Sequence, residues 1–355
     1  MATYTLMLIA ILLSSALVQN GAKRSFEQKR KLILKIGIFI LWIMCALKHE
    51  SVGIDIEGYK RVYEESARWE WFDYSKVYFE EGYILLMQLF SKNSLSFQVF
   101  NVFVYALIYF PWYIFLNRYS KLPTLSLLIY ICYQFWVFNM SGLRQGIAMS
   151  ICLIAFVVLE KKSILRALIS IGMILLASTV HRSAIVFLIA LGAYAARINI
   201  KTISIFGICY FACMFFRSSV VAFVNAIAGI YQVSQRMVLG GSFIMLVGFT
   251  IFIVYTNYNV HDDNNTDIKI ENSSAYMMLC SIALNLALNG SNMLRVASYA
   301  SMFLTVALPS AIVKYNRTSR ILLCFMVGVF LILLYYHDVL MANQLNIIPY
   351  KFFWQ

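Results

Sequence analysis

Apolar runs of about 15 to 20 residues, separated by short polar breaks, fill most of this chain, and a helix of that length crosses the hydrocarbon core of a bilayer. The pattern predicts about twelve spanning helices, near residues 2–19, 32–47, 97–117, 122–139, 146–160, 164–180, 184–196, 202–216, 242–258, 274–290, 296–313 and 321–336. Residues 83–92 are apolar but too few to cross, and read as a re-entrant or interfacial helix. The expected fold class is an all-α polytopic membrane protein, a single integral domain over residues 1–355. Its main connections are expected at 48–82 and 217–241 on the extracytoplasmic side and at 259–273 on the cytoplasmic side.

Composition agrees and removes other classes. Apolar residues make up 61% of the chain and charged ones 13%, about half the charged share of a soluble domain. The formal net charge is +13, yet the Lys and Arg residues are scattered over short loops without a basic domain, which argues against nucleic acid. Their placement speaks instead to orientation. Lys23, Arg24, Lys29, Arg30 and Lys31, then Arg118 and Lys121, then Lys161, Lys162 and Arg166, then Lys314, Arg317 and Arg320 occupy one alternating set of loops. The positive-inside rule puts that set in the cytoplasm. The loop at 259–273, acidic through Asp262, Asp263, Asp267 and Glu271, runs against the trend, but acids weigh little in the rule. The first apolar run lacks a positive segment before it, so it reads as a helix entering from outside rather than a cleaved leader.

The chemistry available is narrow. There is no Walker loop, no GxGxxG, no GxSxG and no HExxH; the seven cysteines fall in apolar runs without CxxC spacing, against a disulfide framework or zinc site. No metal or cofactor is expected, and a substrate would have to carry its own activation energy. Three polar clusters then stand out on the face opposite the basic loops. One is the acidic and aromatic stretch from Val52 to Tyr83, with Asp55 between Gly53 and Gly58. Another is the short SGLRQG turn with Arg144 and Gln145, and the third is the HRS turn at His181 to Ser183. Arg295, with Tyr299 one turn on, repeats the situation of Arg144. Charged groups at the ends of spanning helices are costly unless they face water or a partner, so their convergence favours function over headgroup snorkelling. Carboxylates with flat rings suit sugars, and the guanidinium fork suits a diphosphate.

In order and spacing these pieces resemble the EpsG/Wzy-type polysaccharide polymerases of bacteria. The resemblance rests on VGIDIEGY (Gly53, Asp55, Tyr59), EEGYILL (Glu81, Gly82, Tyr83), GLRQGIAMSI (Arg144, Gln145, Ala148), LLASTVHRSAI (Ala177, His181, Ser183), LRVASYASMFLTVALP (Arg295, Tyr299, Pro309) and a terminal IIPYKFF. One departure is Lys48, where the family usually has an Arg shortly before VGxD. The resemblance implies a metal- and nucleotide-independent glycosyltransferase of the bacterial cytoplasmic (inner) membrane, working on the extracytoplasmic face. It would transfer a polyprenyl-diphosphate-linked oligosaccharide repeat onto another, lengthening a capsule, O-antigen or exopolysaccharide. Arg144 and Arg295 would neutralise the leaving diphosphate, and His181 or Asp55 would take the proton. Tyr59, Glu81, Tyr83, Gln145, Ser183, Tyr299 and Lys48 would contact substrate. Lipid-linked repeats, membrane lipids, a chain-length regulator and a flippase are the implied partners.

Two alternatives belong beside this. An O-antigen ligase would carry a large late outer loop, whereas residues 217–241 are few and nearly uncharged. A transporter or flippase of lipid-linked sugars would show an internal repeat and polar residues at mid-bilayer depth; no repeat is evident, and Asn285 and Asn289 are little to build on.

Overall fold

A computed structural model describes the chain except residues 22–23, 161–162, 220–221, 223–239, 261, 263–264 and 289–291. Most of the connection expected at 217–241, part of that at 259–273, and Lys23, Lys161, Lys162, His261, Asp263 and Asn289 therefore lie outside the described residues.

Within them the protein is helical, with no strand beyond an isolated bridge between Lys48 and Phe352. Helix α1 covers Ala2–Asn20 and α2 covers Phe26–Ala46. The second begins with a capping box: the Ser25 hydroxyl accepts from the Gln28 amide, and the Gln28 side chain accepts from the Ser25 amide. Within the connection at 48–82 an unforeseen amphipathic helix, α3 (Ile56–Ser66), buries Ile56, Tyr59, Tyr63 and Ser66. It is followed by α4 (Glu81–Ser91), as short as the apolar run implied. Then come α5 (Phe97–Tyr119), α6 (Pro123–Cys132), α7 (Phe135–Ser141), α8 (Leu143–Leu159) and α9 (Ile164–Val180).

By length and composition, four described helices can cross a membrane unaided: Ala2–Asn20, Phe97–Tyr119, Arg295–Val313 and Arg317–Met341. A fifth results if α6 and α7, bent by 50° at their junction, form one broken span. The apolar helices α8, α9, Ile200–Phe215 and Gly241–Asn257, at 16 or 17 residues, are shorter, so four or five spans are clear among the described residues where about twelve are expected from the sequence. The run expected to be continuous over 122–139 is interrupted because Gln134 takes a left-handed backbone, φ +66°.

Helix α8 occupies the centre, buried on nearly all sides between α5 and α9. In lipid the tails are as apolar as the side chains, so close packing must hold helices together. Phe156 supplies it, meeting Phe303 edge-on at 4.7 Å and Phe115 at 6.3 Å. At one end of the bundle the C-terminal segment straps the connection that follows α2. The amides of His49, Gly53 and Ile54 donate to the carbonyls of Lys351, Asn346 and Leu345 at 2.9 to 3.0 Å. Tyr350 Oη donates to the Met44 carbonyl at 3.0 Å. The strap thereby fixes the start of the segment that carries Asp55.

Candidate active site

Three local devices bring distant residues to one cavity. Gly53 sits at φ +107°, and a Cβ there would lie 2.7 Å from the Met140 carbonyl, so the chain turns against the end of α7 only because the residue is glycine. That turn delivers Asp55, whose amide donates to Ser141 Oγ and whose carboxylate accepts from the same hydroxyl, both at 3.2 Å. Gly82 does the same for α4: a Cβ would approach the Thr179 carbonyl to 2.9 Å, so α4 meets the end of α9 closely enough for residue 80 to reach residue 181. Finally, only Gly142 separates α7 from α8. Arg144 and Gln145, expected in a short turn, instead occupy the first turn of α8, on a buried helix that fixes them.

The cavity measures about 480 Å³ and is lined by Asp55, Tyr59, Arg61, Arg144, Gln145, His181 and Arg295, among others. Two of the lining residues, His181 and Arg144, are joined by Glu80. One carboxylate oxygen meets His181 Nδ1 at 2.8 Å and accepts from the Arg182 amide at 3.1 Å; the other accepts from Arg144 Nη1 at 2.5 Å. Glu80 is the N-cap of α4, yet its side chain makes no cap hydrogen bond, giving up about 1 kcal/mol of helix stabilisation to join the cluster. Burial works to raise the Glu80 carboxyl, but the hydrogen bond from His181 and the nearby Arg144 charge prevail and hold it down at about 2. An ionised carboxylate only accepts, so Nδ1 of His181 carries a proton, and in the neutral imidazole the lone pair is on Nε2.

Arg144 is further fixed by its guanidinium lying 4.3 Å over the Phe79 ring and by Nε facing Tyr59 Oη at 3.5 Å. Burial pushes the Tyr59 phenol above its ordinary value, with Arg144 acting against it, so Tyr59 enters the site as a neutral hydroxyl. Arg295 is held more loosely. Its side chain is 48% exposed, Nη1 lies 3.8 Å from Asp55 Oδ2, and the guanidinium stands 5.6 Å over Phe138. Its backbone is better anchored, the Arg295 carbonyl accepting from Gln145 Nε2 at 2.8 Å.

Of the residues singled out in the sequence, Asp55, Tyr59, Arg144, Gln145, His181 and Arg295 line this one cavity. The others stand apart. Tyr83 is fully buried behind Tyr59 and Phe79, and Tyr299 is fully buried beneath Ser183, whose hydroxyl reaches it at 3.4 Å. Glu81 faces solvent one residue past the carboxylate that turns inward. Lys48 is fully buried, its Nζ donating to the Val52 carbonyl at 2.5 Å and facing the Tyr105 ring. Burial drives its ammonium down to about 7. Sequence reading missed Glu80 and Arg61; the adjacent acids of EEGY were the only signal for the first, and a cation one helical turn and a half past Asp55 the signal for the second. Among the described residues no group of His, Cys, Asp and Glu could hold a metal ion.

No curated protein and no solved structure matches the chain. A family does: the sequence matches the EpsG family over residues 31–352, nearly its whole length. That stretch includes every residue lining the cavity, from Ile54 to Arg295. The chain belongs to the EpsG family, which is associated with Wzy-type polymerases and marks it as a polysaccharide polymerase-like membrane protein.

Proposed function

We propose that the cavity joins lipid-linked saccharides, transferring a polyprenyl-diphosphate-linked oligosaccharide repeat onto a second such repeat at the extracytoplasmic face of a bacterial cytoplasmic membrane. The observation that carries this reading is the Glu80 carboxylate binding His181 and Arg144 at once. It supports reading His181 as a general base acting through Nε2, beside a guanidinium suited to an anion. In the reaction an acceptor hydroxyl attacks the anomeric carbon of the donor. The new glycosidic C–O bond forms as the bond from that carbon to the diphosphate oxygen breaks, and the polyprenyl diphosphate leaves with the bonding pair. His181 Nε2 takes the hydroxyl proton, a step that is worth about 10² to 10⁴ in rate. Arg144, Arg295 and Arg61 meet the charge that develops on the leaving group. Asp55 serves less well as the base, since its carboxylate already accepts from Ser141 and faces Arg295; it orients Arg295 instead.

The activation energy resides in the donor diphosphate, so purified protein in detergent, given lipid-linked repeats but no nucleotide and no ion gradient, should build a ladder of longer saccharides and release polyprenyl diphosphate. A transporter has no compartments to connect in detergent and would return the repeats unchanged. Repeats bound by the wild type yet never joined would rule out the enzymatic reading.

A further inference from the structure

A second cavity of about 380 Å³ adjoins the first, and Arg295 and Phe138 line both. Its size falls in the ligand-pocket range of about 300 to 1,000 Å³. Three irregularities of the fold meet at it. The α6–α7 break exposes Tyr133 and Gln134 there, with Gln134 held at φ +66°. The last helix changes to a π-helical turn over Tyr335–Met341, which presents Asp338. The C-terminal strap closes the side with Gln344. A left-handed glutamine costs on the order of 1 kcal/mol, and π turns gather at functional sites. Broken backbone near membrane depth is tolerated where it borders a polar cavity. A wall that combines a carboxylate, three carboxamides and aromatic rings offers hydroxyl partners and flat apolar surface.

We propose that this second cavity is a saccharide subsite that holds sugar rings of a lipid-linked repeat while Arg295, at the shared wall, engages the diphosphate. The inference rests on the polymerase reading for the identity of the sugar, but the cavity itself can be tested by binding alone. Asp338 is the principal hydrogen-bond acceptor, its carboxylate meeting the exposed His337 at 2.6 Å. Gln134 and Gln344 supply amides, and Tyr133 supplies a stacking face.

The probe is the free oligosaccharide released by mild acid from the producing cell's own lipid-linked pool, measured by ligand-observed NMR against the full-length protein in detergent. Wild type should bind it. Asp338→Asn, which keeps shape and loses the charged acceptor, should weaken binding by about tenfold. Ser298→Phe, which fills the cavity, should abolish it, and His181→Ala, in the neighbouring cavity, should change it little. Equal binding by wild type, Asp338→Asn and Ser298→Phe, with all three monodisperse in detergent, would overturn the subsite, as would failure of the wild type to bind. Should the wild type bind and the two cavity variants not, while no ladder forms with intact lipid-linked repeats, the polymerase reading falls and the saccharide subsite stands.

Discussion

The two arginines of the site sit in opposite settings. Arg144 rises from the first turn of a helix buried on nearly all sides, is 21% exposed, lies over an aromatic ring and shares a carboxylate with a histidine. Arg295 leaves a short 3₁₀ turn, is 48% exposed and meets Asp55 at 3.8 Å. Coulomb attraction between the first pair acts in a partly desolvated place, where losing one partner strands the other. The second pair works through water and is worth on the order of 0 to 1 kcal/mol. One arginine is therefore held firmly, and the other is held loosely at the wall the two cavities share.

The largest effects should come from breaking the fixed cluster. His181→Ala should lower elongation by about 10² to 10⁴, read as the rate of ladder growth with purified lipid-linked repeats, with the protein still folded. Glu80→Ala should go further in one respect, costing on the order of 3 to 5 kcal/mol in stability as well as activity, because Arg144 is left buried without its counter-ion. Thermal melts in detergent would show it, and an unchanged melting point would mean that the contact is slack. That stabilisation has a pH signature. The folded carboxyl, at about 2, lies below its unfolded value of 4.5, so the contribution is complete above about pH 4.5 and is lost as pH falls toward 2.

Arg144→Lys keeps the charge and loses the fork. A loss of about 10² in rate is expected, near the value of a single preorganised donor to a developing oxyanion. Arg295→Lys should cost less, about tenfold, with a marked salt dependence and almost no change in stability. Equal losses from the two lysine variants would erase the distinction between firmly and loosely held arginines.

Lys48 sharpens the same contrast between buried and open charge. Its folded value is depressed to about 7 from 10.5, so at and below pH 7 the fold bears the cost of a buried ammonium, and the cost fades as pH climbs from 7 to 10.5. Lys48→Met should raise the melting point most at low pH, with the gain shrinking above pH 7. A gain independent of pH would place the ammonium in water, where it could meet substrate.

How far the sequence carried the picture differs by element. The long apolar runs gave α5 and the last helix to within a few residues, and Asp55, Arg144, His181 and Arg295 were grouped because charge at helix ends is expensive in lipid. Other features left weaker marks. Helix α3 hides in a stretch dominated by acids and aromatics, although Ile56, Tyr59 and Tyr63 recur at helical spacing. The break at Gln134 has no glycine or proline to announce it; tertiary packing imposes the left-handed residue. Gly53 and Gly58 looked alike in the sequence, yet only the first takes a positive φ, while a Cβ on the second would meet open space. Between Glu80 and Glu81 nothing local decides, since the choice depends on how Gly82 seats α4 against Thr179.

Everything proposed for the site turns on Glu80 uniting His181 and Arg144 as one device, and a double-mutant cycle in the elongation assay tests that most directly. Residues that act as a unit are strongly non-additive, so the Glu80→Gln, His181→Ala double variant should be no slower than His181→Ala alone. If the two losses multiply, each residue acts independently, and the carboxylate does not organise the histidine.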